Sequence, residues 1–331
     1  MRRLSIGLDW QGDFDLDRVI EQAKIADDAG VELLAVAEAW GRDAFTLLAV
    51  LARETHHIKL GTSIVNIFSR SPGALAQHFA TLDELSQGRA VIGLGASGPN
   101  VIEHFHGVKF ERPLTRTHEY IDIINMLMRG EPLNYDGRIF KLSRGFTLRF
   151  KPYRPHIPIH IASITPKSIQ QTAAAADGWI PIFVPKPYWK EQVDRFYAAV
   201  AAAGRARAEV EVLCPSDVTV TTDVEAARQA TAAHAAFYIA RMGDFYYEHF
   251  VRMGYADEVN AVRRAWADGG SAAGVAALPP ELIEDLGTAG TVEQCAAAID
   301  EATAAGFTLH RVSVQERDPR KCSAIFRRLV G

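Results

Sequence analysis

Two periods of apolar residues take turns along the chain. Short apolar runs at Leu4–Leu8, Leu33–Ala37, Ile58–Val65, Ala90–Leu94, Ile157–Ala162, Gly178–Phe183, Glu209–Thr221 and Leu309–Val314 predict strands. Between them the spacing widens to that of amphipathic helices. Asp15–Ala29 places Leu16, Val19, Ile20, Ala23, Ile25 and Ala26 on one face, and Gly30 stops it. Asp43 is a plausible N-cap for a helix over 43–54, and Pro72 suits the first position of one over 71–86. Further helices are predicted over 112–129, 166–176, 187–203, 291–305 and 318–329. Strand followed by helix, repeated to eight strands, predicts an α/β fold of the (β/α)8 TIM-barrel type. A doubly wound sheet rarely needs eight repeats.

Two stretches break the rhythm. Residues 130–150 carry Gly130, Pro132, Asp136 and Gly137 between short apolar runs, which predicts a hairpin insertion after the fourth helix. Residues 223–286 are helical in character throughout and predict a helical insertion after the seventh strand. No Pro/Ser linker divides the chain, so 1–331 is expected to be one barrel domain.

Residues 90–104 hold the densest chemistry. Ala90–Leu94 breaks into a turn of Gly95, Ala96, Ser97, Gly98 and Pro99, where small residues let a ligand approach the backbone. Gly93, Gly95 and Gly98 also match G-x-G-x-x-G. The dinucleotide fingerprint needs a helix at the third glycine and an acid about 20 residues on. Here Pro99 follows, a polar gap is expected before the next helix, and 112–125 reads as a long helix.

Composition narrows the function. Net charge is 36 − 40 = −4 and no basic run is present, so nucleic acid is not an expected partner. No stretch reaches 18 apolar residues, so no membrane span is expected, and the N-terminus lacks a signal-peptide core. Cys214, Cys295 and Cys322 form neither a zinc pattern nor a disulfide frame, which suits a reducing cytoplasm. The histidine pairs His56–His57 and His104/His106 make no metal site.

In a barrel the site lies at the C-terminal strand ends. That rule selects loops starting near Asp9, Glu38, Ser63, Gly95, Ala162, Ile182 and Thr221. Glu38 and Trp40 are expected at the mouth, Trp40 as a flat aromatic beside a flat cofactor. Ala162-Ser163-Ile164-Thr165-Pro166 offers either a phosphate seat or an ordinary N-cap by Thr165. Gly178 permits close approach. The mouth holds small residues, hydroxyls and aromatics but no G-x-S-x-G elbow, Walker lysine or carboxylate cluster. Such a site suits a cofactor that brings its own chemistry.

Four motifs carry a resemblance. They are Ala37-Glu38-Ala39-Trp40-Gly41-Arg42-Asp43-Ala44-Phe45, Leu60-Gly61-Thr62-Ser63-Ile64, Gly93-Leu94-Gly95-Ala96-Ser97-Gly98-Pro99 and Pro113-Leu114-Thr115-Arg116-Thr117-His118-Glu119-Tyr120-Ile121. Asp177–Phe183 and Arg252–Tyr255 add to them. Through these the chain resembles the bacterial-luciferase-like flavin-dependent superfamily, most of all the actinobacterial oxidoreductases that use the deazaflavin coenzyme F420. The resemblance implies a homodimeric barrel with a non-proline cis peptide at Ser63–Ile64 behind the cofactor ring. It also implies ring contacts near Glu38, Ser63, Ile64 and Gly95–Ser97, and phosphate and tail contacts near Ala162, Ser163, Thr165 and Gly178. Sugar-phosphate and alcohol dehydrogenases of the superfamily carry an Asp-His pair where this chain has Glu38-Ala39. Relatives also often have Gly-Gly-Pro or Glu-Gly-Pro where it has Ile164-Thr165-Pro166.

The expected function is F420-dependent hydride transfer between the deazaflavin C5 and a small organic substrate, with Glu38 or Asp9 as proton donor. An FMN-dependent luciferase-like monooxygenase and a non-catalytic flavin-binding barrel are the alternatives. The substrate is not readable. Phe237, Tyr238, Phe245, Tyr246, Tyr247 and Phe250 place aromatic side chains in the segment expected to roof the pocket.

Overall fold

A computed structural model describes residues 1–8 and 14–331. Strands β1 (Leu4–Gly7), β2 (Leu33–Val36) and β3 (Lys59–Thr62) pair in parallel. The two-residue β4 (Val65–Asn66) and β3 both pair with β5 (Ala90–Gly95). A separate antiparallel hairpin, β6 (Leu133–Asp136) and β7 (Lys141–Phe146), follows. The parallel sheet then continues from β5 to β8 (Ile159–Ala162), β9 (Gly178–Ile180) and β10 (Glu211–Val212). After a bend the seventh strand resumes as β11 (Asp217–Val220), which pairs with β12 (Gly287–Gly290) on one side and β13 (His310–Val314) on the other. Leu213 bridges Leu309, the Cys214 amide donates to the Leu309 carbonyl at 2.8 Å, and β13 pairs with β1. These contacts close a (β/α)8 barrel of β1, β2, β3, β5, β8, β9, the bent β10–β11 strand and β13.

The helices are α1 (Leu16–Asp28), α2 (Ala44–Glu54), α3 (Pro72–Leu85), α4 (Pro99–His104), α5 (Pro113–Met128), α6 (Pro166–Ala175) and α7 (Trp189–Ala202). The inserted helices α8 (Val224–Arg241), α9 (Asp244–Arg252), α10 (Ala256–Ala276) and α11 (Pro280–Leu286) precede α12 (Val292–Ala305) and α13 (Pro319–Val330). Side chains of Asp15, Asp43, Ser71, Thr165, Asp223, Thr291 and Asp318 accept from first-turn amides. Each such cap stabilises its helix by about 1 kcal/mol.

Four elements differ from expectation. The strands expected over 58–65 and 209–221 are each interrupted, giving β3 and β4 and then β10 and β11. The helix α4 starts directly after Gly98, its N-cap, with no polar gap; Pro99 fits because a first-turn amide has no intrahelical partner. The strand β12 is Gly-Thr-Ala-Gly, with no apolar run to announce it, and forms only because β11 leaves an edge open for it.

Strand side chains alternate in direction. Leu34, Val36, Leu60, Ile92, Leu94, Ile159, Ile161 and Val312 face the helices in one large core. The opposite set, Leu33, Val91, Leu213 and Leu309 with Ala35 and Ile180, meets inside the barrel. This plug forms the floor under the mouth. A second core around Trp179, Phe196, Phe250 and Ile239 joins the inserted helices to the barrel. Among the described residues no helix is long and apolar enough to cross a membrane.

Candidate active site

One wall of the mouth is built from backbone. The Ser63–Ile64 peptide bond at the end of β3 is cis. Just before it, the Thr62 hydroxyl donates to the Gly93 carbonyl at 2.7 Å and accepts from the Gly93 amide at 3.2 Å. A Cβ on Gly93 would lie 1.7 Å from the Thr62 carbonyl oxygen, so the strands meet there only because residue 93 has no side chain. Ile64 lies over Gly95, where an added Cβ would come within 3.0 Å of its Cγ1 and 3.2 Å of the Ala162 Cβ. Ser63, Ile64, Ala96, Ser97 and Ala162 all retain accessible surface. Apart from Ile64, nothing longer than a methyl or a hydroxymethyl projects from these positions or from Ala35 and Ala37. The wall therefore fits a planar ring laid against Ile64.

The expected site residues divide on inspection. Gly95 and Gly98 do not leave room for a ligand: Ile64 and Ala162 occupy the space at Gly95, and a Cβ at Gly98 would lie 3.0 Å from the Met242 carbonyl. The open positions are Ala96 and Ser97, the latter at φ 62. Trp40 lies at the rim, 47% exposed, with its ring 6.1 Å from that of Phe237 on α8. Asp9 falls outside the described residues.

Glu38 is at the mouth but is not a free acid. Its Oε1 accepts from Arg70 Nη1; its Oε2 accepts from the Ala44 amide at 2.9 Å and from Arg70 Nη2 at 3.1 Å. Arg70 also holds Asp43 at 2.7 Å and lies over the Phe45 ring, 5.1 Å from its centroid. The carboxylate thus ties the second loop to α2 and to Arg70.

The expected phosphate seat is largely committed too. Ser163 is buried, with its hydroxyl 2.9 Å from that of Thr172. Thr165 and Ser168 form a reciprocal capping box on α6, the ordinary N-cap alternative. What remains for an anion near this helix start is the exposed Lys167 and Arg252, whose Nη2 donates to the Ile164 carbonyl at 3.3 Å. Gly178 lies elsewhere: it opens β9, at the floor end, and an added Cβ would lie 2.5 Å from the buried His160 ring. Gly178 is a seat for His160, not for a cofactor, because Ile180, two residues on, already stands level with Ala162.

The roof comes from the insertion. Besides the Trp40–Phe237 contact, Asn100 Nδ2 donates to the Arg241 carbonyl at 2.8 Å, and His249 Nε2 lies 3.1 Å from the Ile182 carbonyl. Burial pushes the His249 pKa down to about 4. So α8 and α9 span the mouth from β11 to the loops after β2, β5, β8 and β9.

Under that roof the second wall is made of long side chains. Val218 and Val312 face the outer core, so their neighbours Asp217 and Arg311 face inward. Arg311 grips Asp217 with a fork, Nε to Oδ1 and Nη2 to Oδ2, the latter at 2.8 Å. Each side chain keeps 43% of its surface accessible. His234, Tyr238 and Tyr246 stand around Phe183, with ring centroids 5.2, 5.2 and 6.0 Å away. Desolvation by its neighbours lowers the His234 pKa. Inspection of strand ends missed Asp217 and Arg311. Their signal was a charge on the inward period of each strand, below the loops.

The luciferase-like monooxygenase profile matches residues 4–309. The chain belongs to this family. It is 34% identical over 307 residues to a "putative coenzyme F420-dependent oxidoreductase" of Mycobacterium tuberculosis, covering 87% of this chain and 88% of that one. It is 33% identical to the 5,10-methylenetetrahydromethanopterin reductase of Archaeoglobus fulgidus, covering 92% of each. The fold superposes on coenzyme F420 dependent tetrahydromethanopterin reductase from Methanopyrus kandleri with a TM-score of 0.82 at 23% identity, over 98% of this chain and 96% of that one. Among the described residues, no group of three His, Cys, Asp or Glu side chains could hold a metal ion.

Proposed function

We propose that this family member is a coenzyme F420-dependent oxidoreductase that transfers hydride between the deazaflavin C5 and a small organic substrate. The single observation that carries the reading is the flat, small-residue wall of Ser63, Ile64, Ala96, Ser97 and Ala162 at the C-terminal ends of β3, β5 and β8. The named relatives in Mycobacterium and Archaeoglobus support the deazaflavin over FMN.

When bound, the deazaflavin supplies the two-electron chemistry. The residues of this chain supply geometry. Ile64, seated on Gly95, would hold the ring together with Ala96 and Ser97, and Lys167 and Arg252, near the start of α6, would hold an anionic tail. Roofing by α8 and α9 excludes water, and orientation of this kind can supply several kcal/mol of rate enhancement, roughly 7–11 in the best-aligned cases.

Titration of purified protein with F420 and with FMN, followed by cofactor fluorescence, tests the reading. Saturable binding of F420 with at least tenfold weaker FMN binding is expected. Preference for FMN would replace the reading with a flavin monooxygenase and call for oxygen-consumption assays.

A further inference from the structure

We infer that Arg311, held by Asp217, and the hydroxyl of Tyr238 together receive the substrate oxygen, and that the substrate is a neutral, planar carbonyl compound. The inference rests on the hydride-transfer reading and deepens it. Among the described residues this wall presents no unpartnered carboxyl group: Glu38 is hydrogen-bonded to Arg70 and to the Ala44 amide, and the next residue is Ala39. The opposite wall offers several donors.

Three features select Arg311 and Tyr238. First, Asp217 takes only part of the guanidinium. Nε and one Nη2 hydrogen are used, which leaves the Nη1 donors uncommitted, and Arg311 stands directly above the apolar plug residue Leu309 on the inward face of β13. Second, the Tyr238 hydroxyl makes no hydrogen bond to another described residue, although its ring is packed edge-on against Phe183 and Tyr246. Tyr238 on α8 and Arg311 on the inward face of β13 rise from two elements that border the same mouth. Third, α8 is pinned on both sides of Tyr238, by Phe237 against Trp40 and by Arg241 to Asn100. The phenol is thereby held over the mouth.

The same geometry sets the substrate class. Arg311 already carries its counter-ion, so a carboxylate would meet Asp217 beside its cation, whereas a neutral carbonyl oxygen needs only the free N–H and O–H donors. Phe183, His234 and Tyr246 make the flanking surfaces flat and aromatic, which suits a planar molecule. In the reducing direction the carbonyl carbon gains hydride, with reduced deazaflavin as the two-electron donor. The carbonyl π pair moves onto oxygen and forms an O–H bond with the Tyr238 proton. Arg311 stabilises the charge that builds on that oxygen, and the phenolate regains its proton from water. The product is an alcohol.

The probe is 4-(dimethylamino)cinnamaldehyde, a planar aldehyde whose absorption moves to the red when its oxygen accepts strong hydrogen bonds. It is titrated into the full-length protein without cofactor, with F420 binding measured in parallel. A red-shifted, saturable complex is expected. Tyr238→Phe removes one oxygen and is expected to bind the probe about tenfold more weakly with a reduced shift. Arg311→Lys keeps a charge for Asp217, guarding the fold, and is expected to lose the shift as well. Both variants should bind F420 as the parent does. An unchanged shift in both variants, or no probe binding while F420 binds, overturns this inference alone. Failure of the parent to bind F420 overturns the functional reading and the inference with it.

Discussion

The wall formed by β3, β5 and β8 is shaped by what is missing from it, and the wall formed by β11, β13 and α8 by what projects from it. On the first, Gly93 lets Thr62 lie against β5, and Gly95 makes the space that Ile64 fills. The surface that results is apolar, shallow and set by main-chain positions. On the second, Asp217, Arg311, His234 and Tyr238 are long side chains whose positions depend on hydrogen bonds and ring packing. A backbone-built surface can hold one conserved shape, such as a ring. A side-chain-built surface can change its chemistry by single substitutions without disturbing the barrel. The division suits a common cofactor on one side and an individual substrate on the other.

The most severe way to break the first wall is Gly93→Ala. Its Cβ would meet the Thr62 carbonyl at 1.7 Å, so a strand has to move. We expect a loss of about 3 kcal/mol or more, read as a fall in thermal midpoint or as failure to fold. A parental melting curve would contradict a backbone-built wall.

Acid sharpens the comparison from the roof side. His249 joins α9 to the Ile182 carbonyl and is held neutral by burial, with a pKa of about 4 against an ordinary 6.5. The unfolded chain takes up this proton near pH 6.5 and the folded chain only near 4. The contribution is therefore complete above pH 6.5 and is lost as pH falls towards 4, by about 3 kcal/mol. His310, buried in the outer layer and 2.9 Å from the Thr303 hydroxyl, behaves alike, with a pKa also of about 4. Chemical denaturation of His249→Gln between pH 4 and 7 should show a shallower acid limb than the parent. An identical slope would remove His249 from this role.

Glu38→Gln separates positioning from proton transfer. Losing the ion pair to a partly buried Arg70 should lower stability by about 2 kcal/mol, because Arg70 keeps Asp43. Turnover of the folded variant should stay within about tenfold of the parent. A thousandfold fall in kcat with an unshifted melting point would restore Glu38 as the proton donor. The smallest effect is expected at Trp40→Ala, at the half-exposed rim, where loss of the Phe237 contact should lower stability by about 1 kcal/mol in urea denaturation.

Much of this architecture is written in local signals. The eight barrel strands follow from apolar runs punctuated by caps and glycines, and Asp43, Pro72 and Thr165 mark their helix starts as the sequence suggests. The candidate wall was legible where a loop begins directly at a strand end, as at Ser63, Ala96 and Ser97, which the structure brings together. The site was not legible where a residue's role depends on a partner far along the chain. Nothing near Glu38 announces Arg70, and nothing near Gly178 announces that the His160 ring fills its open side. Arg311 and Asp217 are 94 residues apart and become neighbours only when β13 and β11 pair.

The most direct test of the two-wall arrangement is an F420 fluorescence titration of the parent beside Ser97→Arg. Residue 97 sits at φ 62 at the open edge of the small-residue wall, and arginine there projects into the space assigned to the ring. Saturable binding by the parent and at least hundredfold weaker binding by the variant, with unchanged melting, are predicted. Equal F420 affinity in the two proteins would contradict the placement of the cofactor on this wall.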